Sequence, residues 1–243
     1  MLWTMWHVYT FIPCMILYIV LAIFIGKWLK NKSENIRLIP IHIISGIIVI
    51  LEIIKQVRSI SIGYDLKNLP LHYCSLFLYL FPLASFCKGK FKKYARFLTV
   101  LSGIVVILVM CVMPRVIYNQ YAIIDFFNDF GCFHTVFYHN IVFLGTCLIL
   151  SLNLVDVNIK NKYWVSAGVY FSYCIVGICF ALGLNVNYNQ FCCSYVSGIE
   201  NLRLLQIEKL GYWGQIIYIA EVTFSTVCFS MLICFSNQQY SFL

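Results

Sequence analysis

The chain has 243 residues, of which 62% are hydrophobic and only 11% are charged. A soluble domain carries about 25% charged residues, so this composition excludes an ordinary water-soluble protein. The mean hydropathy of +0.86 indicates an integral membrane protein. The net charge of +8 arises from short basic clusters between apolar stretches, and anionic lipid headgroups explain it without a nucleic-acid partner.

Apolar stretches of about 20 residues, the length that crosses ~30 Å of hydrocarbon, follow one another along the chain. They lack the two-residue alternation of a membrane β-barrel, which predicts α-helices. The first stretch has neither a basic leader nor a small-residue cleavage site, which favours a retained helix over a signal peptide. We predict an all-α, seven-transmembrane helix bundle, a single integral membrane domain over residues 1–243, with helices at about 8–29, 38–55, 71–88, 96–113, 132–153, 163–184 and 212–235.

The distribution of lysine and arginine predicts the orientation of these helices. The connections after the first, third and fifth predicted helices hold 11 Lys and Arg residues, whereas those after the second, fourth and sixth hold 6. Because basic connections remain in the cytoplasm, we expect a multi-pass protein of the cell membrane with its N-terminus outside and its C-terminus cytoplasmic.

Polar and ionisable residues concentrate in the predicted outer half of the bundle. At membrane depth such side chains face the bundle interior or a wet cavity. We therefore predict a shared polar pocket there, the alternative being a set of separate, solvated interfacial residues. The predicted pocket residues are Glu52, His72, Cys74, Ser75, His134, His139, Asn185, Asn187, Tyr188 and Glu221.

A thiol follows a helix-start signal in the predicted third helix. Asn68 can cap a helix, and Pro70 is tolerated in a first turn. Cys74 would then lie near the positive end of the helix dipole, where a thiolate is favoured over a thiol. The alternative is a buried cysteine that only packs.

A histidine partner for this cysteine has to come from elsewhere in the chain. His72 is two residues from Cys74, about 200° around a helix, so the two cannot face each other. His134 and His139 lie at a compatible predicted depth on another helix. A Cys–His pair is suited to nucleophilic acyl chemistry.

The sequence predicts no metal and no cofactor, the alternative being a metal site assembled from Glu52, His72 and His139. His134 and His139 are five residues apart, about 140° around a helix, and do not form the same-face chelate of a four-residue spacing. The chain also lacks a glycine-rich phosphate loop, a nucleophile elbow and a dinucleotide fingerprint.

Three cysteines fall at the predicted outer face. These are Cys132 and the adjacent pair Cys192 and Cys193. Their positions leave open a disulfide between Cys132 and one member of the pair, which depends on distances that a sequence does not contain.

The order of several motifs resembles that of a known family. The motifs are Leu69-Pro70-Leu71-His72-Tyr73-Cys74-Ser75, Pro114, His139, Asn185-x-Asn187-Tyr188 and Leu210-Gly211-Tyr212-Trp213. In this order they resemble the bacterial YwaF-like integral membrane proteins, which are similar to the eukaryotic transmembrane protein 164 group. The resemblance runs from the second to the seventh predicted helix, and it is weakest over 115–131 and 189–207.

This resemblance implies a chemistry. The eukaryotic group is associated with the transfer of acyl chains onto ether phospholipids by a cysteine nucleophile with histidine support. By resemblance, Cys74 is the expected nucleophile, His139 the expected base, and His72 a supporting residue or substrate contact. The two weakly matching stretches affect the expected substrate more than the expected fold.

Three functions are compatible with these features. The first is an acyltransferase or lipid-remodelling enzyme whose phospholipid substrate enters from the outer leaflet, with Cys74 acylated and then deacylated by a lysolipid. The second is a small-solute binding or transport protein that uses the same pocket. The third is a non-enzymatic accessory or sensor subunit that responds to histidine titration. The sequence indicates neither the substrate nor the oligomeric state.

The predicted orientation can be tested in cells. On a cysteine-depleted background, cysteines introduced into the 88–96 connection should resist a membrane-impermeant maleimide until the membrane is permeabilised. Labelling of this connection in intact cells would reverse the orientation and invert every depth assigned above.

Overall fold

Helices dominate the computed structural model, which describes residues 3–117, 119–156 and 158–239 of the chain. The α-helices in these ranges are α1 Met5–Leu29, α2 Glu34–Ser61, α3 Phe77–Phe86, α4 Gly89–Val112, α5 Pro114–Ile117, α6 Gln120–Ile124, α7 Phe130–Ser151, α8 Lys162–Leu184, α9 Ser197–Leu210 and α10 Tyr212–Gln239. Short 3-10 helices cover Leu66–Asn68, Tyr73–Leu76 and Tyr188–Gln190. The predicted all-α class is confirmed.

Five of the described helices, α1, α2, α4, α7 and α8, are long and apolar enough to cross a membrane. Helix α10 has 28 residues but is not among these five, and the apolar segment Tyr73–Phe86 is shorter than a span. The predicted count of seven spans and the predicted orientation therefore stay predictions. The C-terminal residues 240–243, predicted to be cytoplasmic, lie outside the described residues.

The region of the predicted third span, 71–88, differs most from the expected helix. Leu69 has an extended backbone (φ −57°, ψ 138°), as expected for the residue before a proline. The chain then forms a 3-10 turn over Tyr73–Leu76, and the regular helix α3 begins only at Phe77. Cys74 thus precedes α3 instead of lying within its first turns.

Two compact units divide the chain. The first contains α1 to α7, and the second contains the segment 62–76 together with α8, α9 and α10. Each unit is described by itself, and the single membrane domain expected from the sequence stays a prediction.

Helix α7 is the centre of the first unit. It packs against α1, α2, α4 and α6, while α3 packs against α2 and α4. Glycines allow close approach: a Cβ on Gly103 of α4 would lie 2.1 Å from Thr146 Oγ1 on α7, and one on Gly145 would lie 2.5 Å from Phe81 Cζ. Small residues at helix contacts are typical of membrane bundles, where packing and not the hydrophobic effect drives association.

In the second unit, α10 packs against both α8 and α9. Helix α8 ends at Asn185, whose left-handed backbone (φ 53°) is a conformation that asparagine tolerates at helix ends. A hydrophobic core joins Cys174 and Ala181 of α8 to Val186, Tyr188 and Phe191 after the turn. The end of α8 and the loop that follows it are therefore one packed structure.

The glycine contact between α4 and α7 predicts a local stability effect. We expect Gly103→Ala to destabilise the protein by about 1–3 kcal/mol, because its Cβ would overlap Thr146. The matched control is Gly46→Ala in α2, where an added Cβ meets nothing within 4 Å. Thermal denaturation of the purified variants in detergent measures both, and equal midpoints would contradict the close approach.

Candidate functional site

The residues that the sequence assigned to one pocket are divided between the two units. Glu52, His134 and His139 lie in the first unit. The second unit contains the rest, which are His72, Cys74, Ser75, Asn185, Asn187, Tyr188 and Glu221.

Glu52 is the centre of a polar cluster in the first unit. Its residue is only 6% exposed, and its carboxylate accepts a hydrogen bond from Gln56 Nε2 at 2.6 Å. Lys55 Nζ lies 2.7 Å from the Oε1 atom of Glu52, and His134 Nε2 lies 3.7 Å from Oε2. A buried carboxylate requires such partners, because desolvation of an unpaired charge is costly. The structure thus brings together Glu52 of α2 and His134 of α7.

Aromatic rings enclose His134 on α7. Its ring stacks on that of Tyr138, with centroids 5.5 Å apart, and lies 6.1 Å from the ring of Phe130. The Arg58 guanidinium lies over the Phe130 ring, 5.1 Å from its centroid. Within the described part of the chain, the buried Nε2 atom of His134 has no hydrogen-bond partner.

His139 is buried further along α7, and one of its ring nitrogens is fixed. The Nδ1 atom lies 2.6 Å from the backbone oxygen of Thr135. Because a carbonyl oxygen can only accept, Nδ1 must carry the proton of the neutral ring. The lone pair is then on Nε2, which makes Nε2 the nitrogen that can accept a proton.

In the second unit, side chains hold the segment that carries the thiol. Three backbone carbonyls between residues 66 and 72 accept hydrogen bonds from residues of α8 and of the loop after it. The pairs are Tyr188 Oη to the Leu66 oxygen, Asn189 Nδ2 to the Leu71 oxygen at 2.9 Å, and Tyr173 Oη to the His72 oxygen at 2.6 Å. The segment is therefore positioned by side chains from more than 100 residues further along the chain.

Cys74 occupies the 3-10 turn that ends this segment, where it is partly buried. The Ser75 amide donates to the His72 oxygen at 2.8 Å, which closes the turn. The His72 ring packs edge-on against the Tyr188 ring, with centroids 5.4 Å apart. The structure thus brings His72, Cys74, Ser75 and Tyr188 together.

Asn187 organises the loop after α8. Its Oδ1 accepts from the amides of Cys192 at 2.9 Å and Cys193 at 3.2 Å, and its Nδ2 donates to the Cys193 oxygen at 2.9 Å. Asn185 caps α8 with its left-handed backbone. Both residues therefore shape the loop that holds the segment at residues 66–72.

Glu221 has a partner away from this loop. Its exposed side chain accepts from Gln206 Nε2 at 3.0 and 3.1 Å, which links α10 to α9. The two helices touch closely nearby, since a Cβ on Gly214 would lie 2.3 Å from the Gln206 oxygen. The carboxylate of Glu221, one of the predicted pocket residues, thus binds a neighbouring helix.

An ion pair organises the chain between α8 and α10, where the family resemblance is weak. The Nη2 and Nε atoms of Arg203 donate to the two carboxylate oxygens of Glu200, at 2.5 and 2.9 Å. Hydrogen bonds from Arg203, and then from the Ser194 amide, lower the pKa of the Glu200 carboxyl. Arg203 also donates to Gln215 Oε1 at 2.8 Å, which ties α9 to α10.

The described residues contain neither the disulfide considered above nor a cluster of metal-binding side chains. No disulfide joins Cys132 to Cys192 or Cys193 there. Nor do three His, Cys, Asp or Glu side chains in that part of the chain gather where they could hold a metal ion.

Several partners of the candidate residues escaped the sequence analysis. Lys55 and Gln56 follow Glu52 by three and four residues, a helical spacing that does indicate neighbouring side chains. Tyr173 and Asn189 gave no such signal, because their partners lie more than 100 residues away.

The Glu52 cluster predicts a stability effect. We expect Glu52→Gln to lower the free energy of unfolding by about 1–3 kcal/mol, because it leaves the mostly buried Lys55 ammonium without its carboxylate. Glu208→Gln, at an exposed position, is the control and should change little. Thermal denaturation in detergent measures the effect, and an unchanged midpoint for Glu52→Gln would mean that the cluster does not stabilise the fold.

Comparison with known proteins places the chain in a family. The model of the TMEM164 family matches residues 2–233. Comparisons with curated proteins and with solved structures give no match. Because the family model covers nearly the whole chain, and several of its helices are long and apolar enough to span a membrane, the chain is a membrane protein that belongs to the TMEM164 family.

Proposed function

We propose that this protein is a Cys/His acyltransferase or lipid-remodelling enzyme that acts on phospholipids of the cell membrane, with its site in the outer half of the bundle. The observation that carries the proposal is the fixed ring of His139. Its Nδ1 atom is bonded to the Thr135 carbonyl, so the lone pair of the neutral ring lies on Nε2, the nitrogen that would act as the general base.

Cys74 is the proposed nucleophile. It lies in a 3-10 turn ahead of α3 and is only partly buried, so a substrate carbonyl could reach its sulfur. The backbone of this turn is held by hydrogen bonds to Leu71 and His72, which keeps the thiol in one position. A fixed nucleophile is the arrangement that acyl transfer requires.

The proposed reaction has two halves. His139 Nε2 takes the thiol proton as the Cys74 sulfur attacks the ester carbonyl of a donor phospholipid. The ester C–O bond breaks, the lysophospholipid leaves with the proton from His139, and a thioester remains on Cys74. The hydroxyl of an acceptor lysolipid then gives its proton to His139 and attacks the thioester, and the released thiolate is reprotonated.

Other candidate residues have supporting roles in this proposal. His72 and Tyr188 pack beside the Cys74 turn and would border the bound substrate together with Ser75. Asn185 and Asn187 act through the loop that they shape. For Glu221, the hydrogen bonds to Gln206 favour a structural role over direct contact with a lipid.

One observation favours a second function, the binding or transport of a small solute. The Nε2 atom of His134 is buried without a hydrogen bond among the described residues, 3.7 Å from the Glu52 carboxylate. A polar or cationic solute could bind between the two groups. This function needs neither the Cys74 thiol nor the His139 lone pair, so the experiment below separates the two.

Trapping of the acyl-enzyme tests the proposal. Wild-type protein incubated with an alkyne-tagged phosphatidylcholine should carry a label that neutral hydroxylamine removes, because hydroxylamine cleaves thioesters. Cys74→Ala should carry none, and His139→Gln should acquire it about 10²–10⁴ times more slowly, the usual contribution of a general base. The control Cys179→Ala, at an exposed cysteine of α8, should label as the wild type does.

The same proposal requires the Cys74 sulfur to lie within about 4–5 Å of a histidine ring nitrogen, since resting catalytic contacts are often longer than an ideal hydrogen bond. His139→Cys on a background without other cysteines should therefore form a disulfide with Cys74 on mild oxidation. Full labelling of Cys74→Ala would refute the enzyme mechanism and leave solute binding.

A further inference from the structure

A basic cavity lies at the end of the first unit where α7 terminates. Its volume is about 450 Å³, within the range of small-ligand sites. Three cations line it: Lys27 and Lys30 at the end of α1, and Arg37 near the start of α2. Ser151 and Asn153, from the end of α7 and the turn that follows, add polar groups, and no residue of the lining is acidic.

Arg37 has donors to spare in this cavity. Its Nη1 donates to the Leu152 oxygen at 2.8 Å, which fixes the guanidinium against the end of α7. Its Nε is buried and lacks a hydrogen-bond partner within the described part of the chain. Because Nε is buried and Nη1 is bonded to a carbonyl, the Nη2 donors of the fixed guanidinium are the ones that would reach an oxyanion in the cavity.

Three basic residues elsewhere in the first unit have carboxylate partners. Lys92 and Arg96 both lie within 2.9 Å of the Glu34 carboxylate, and Lys93 lies 2.9 Å from that of Asp156. In contrast, no carboxylate of the described residues lies within ion-pair distance of Lys27, Lys30 or Arg37. Lys27 and Lys30 are exposed, so an anion from outside the chain has access to both ammonium groups.

We propose that this cavity binds the phosphate group of an anionic lipid headgroup. Two ammonium groups and one guanidinium complement the negative charge of a phosphate, and the Asn153 side-chain amide can donate a further hydrogen bond. Basic pockets between membrane helices are typical headgroup sites. The exposed apolar face of α1, which includes Val20, Ile23 and Phe24, offers a surface for the acyl chains.

The proposed site is independent of the proposed acyl transfer. Its residues lie at the end of α7, whereas His139 is 12 residues earlier, about 18 Å along the helix. The lysines could also neutralise the partial negative charge at the end of α1 without any ligand, and a binding measurement distinguishes these roles.

Native mass spectrometry of the purified full-length protein tests the site, with phosphatidylglycerol as the probe and phosphatidylcholine as the zwitterionic comparison. The double variant Lys27→Gln/Lys30→Gln should bind phosphatidylglycerol about tenfold or more weakly than the wild type. The matched control is Lys88→Gln/Lys90→Gln, which removes the same charge at exposed positions outside the cavity and should bind within about twofold of the wild type. Ile23→Trp, which fills the cavity and keeps every charge, should also weaken binding.

Competition by inorganic phosphate or glycerol 3-phosphate identifies the source of the phosphate. If phosphatidylglycerol binding depends on the two lysines and neither soluble phosphate displaces the lipid, the result supports a headgroup site. If binding depends on the lysines and a soluble phosphate does displace the lipid, the result supports a site for soluble phosphates with the same chemistry. Equal losses in the two double variants would mean general surface charge and would overturn the proposal. Wild-type binding by Lys27→Gln/Lys30→Gln would also overturn it.

Discussion

Backbone carbonyls that lie outside regular helices have to find donors within the protein, because the hydrocarbon of a bilayer contains no water to satisfy them. Side chains supply such donors at several interruptions of the helices in the described part of the chain. The Leu66, Leu71 and His72 carbonyls accept from Tyr188, Asn189 and Tyr173, respectively. The Leu152, Leu154 and Phe191 carbonyls accept from Arg37, Arg96 and Gln215. Several polar side chains of this apolar chain therefore serve as hydrogen-bond donors to its own backbone.

This constraint separates two meanings of a polar residue at membrane depth. Asn187 looks like a substrate contact from its position, yet both atoms of its amide bind the 192–193 backbone. His139 Nδ1 also donates to a backbone carbonyl, and that bond leaves the lone pair of the ring on Nε2. A residue can therefore be structural through one atom and chemical through another, and only the individual atoms reveal the difference.

The sequence predicted the long helices well and the interruptions poorly. Helix α8 at Lys162–Leu184 agrees with the predicted 163–184 because continuous hydropathy marks it directly. The segment around Cys74 was expected as helix, but Pro70 and the distant Asn189 and Tyr173 hold it as extended backbone and a 3-10 turn. The proximity of Glu52 to His134, residues 82 positions apart, depends on how α2 packs on α7. Hydrophobic periodicity describes one helix at a time, so it could not predict which side chains of different helices come into contact.

The fixed tautomer of His139 decides which ring nitrogen would transfer protons in the proposed acyl-transfer cycle. Each half of such a cycle moves one proton to a base and returns it to a leaving group. With Nδ1 bonded to the Thr135 carbonyl throughout, Nε2 can accept and release both protons without rotation of the ring. A histidine ring that is locked in this way therefore suits the proposed transfer of an acyl chain between lipids.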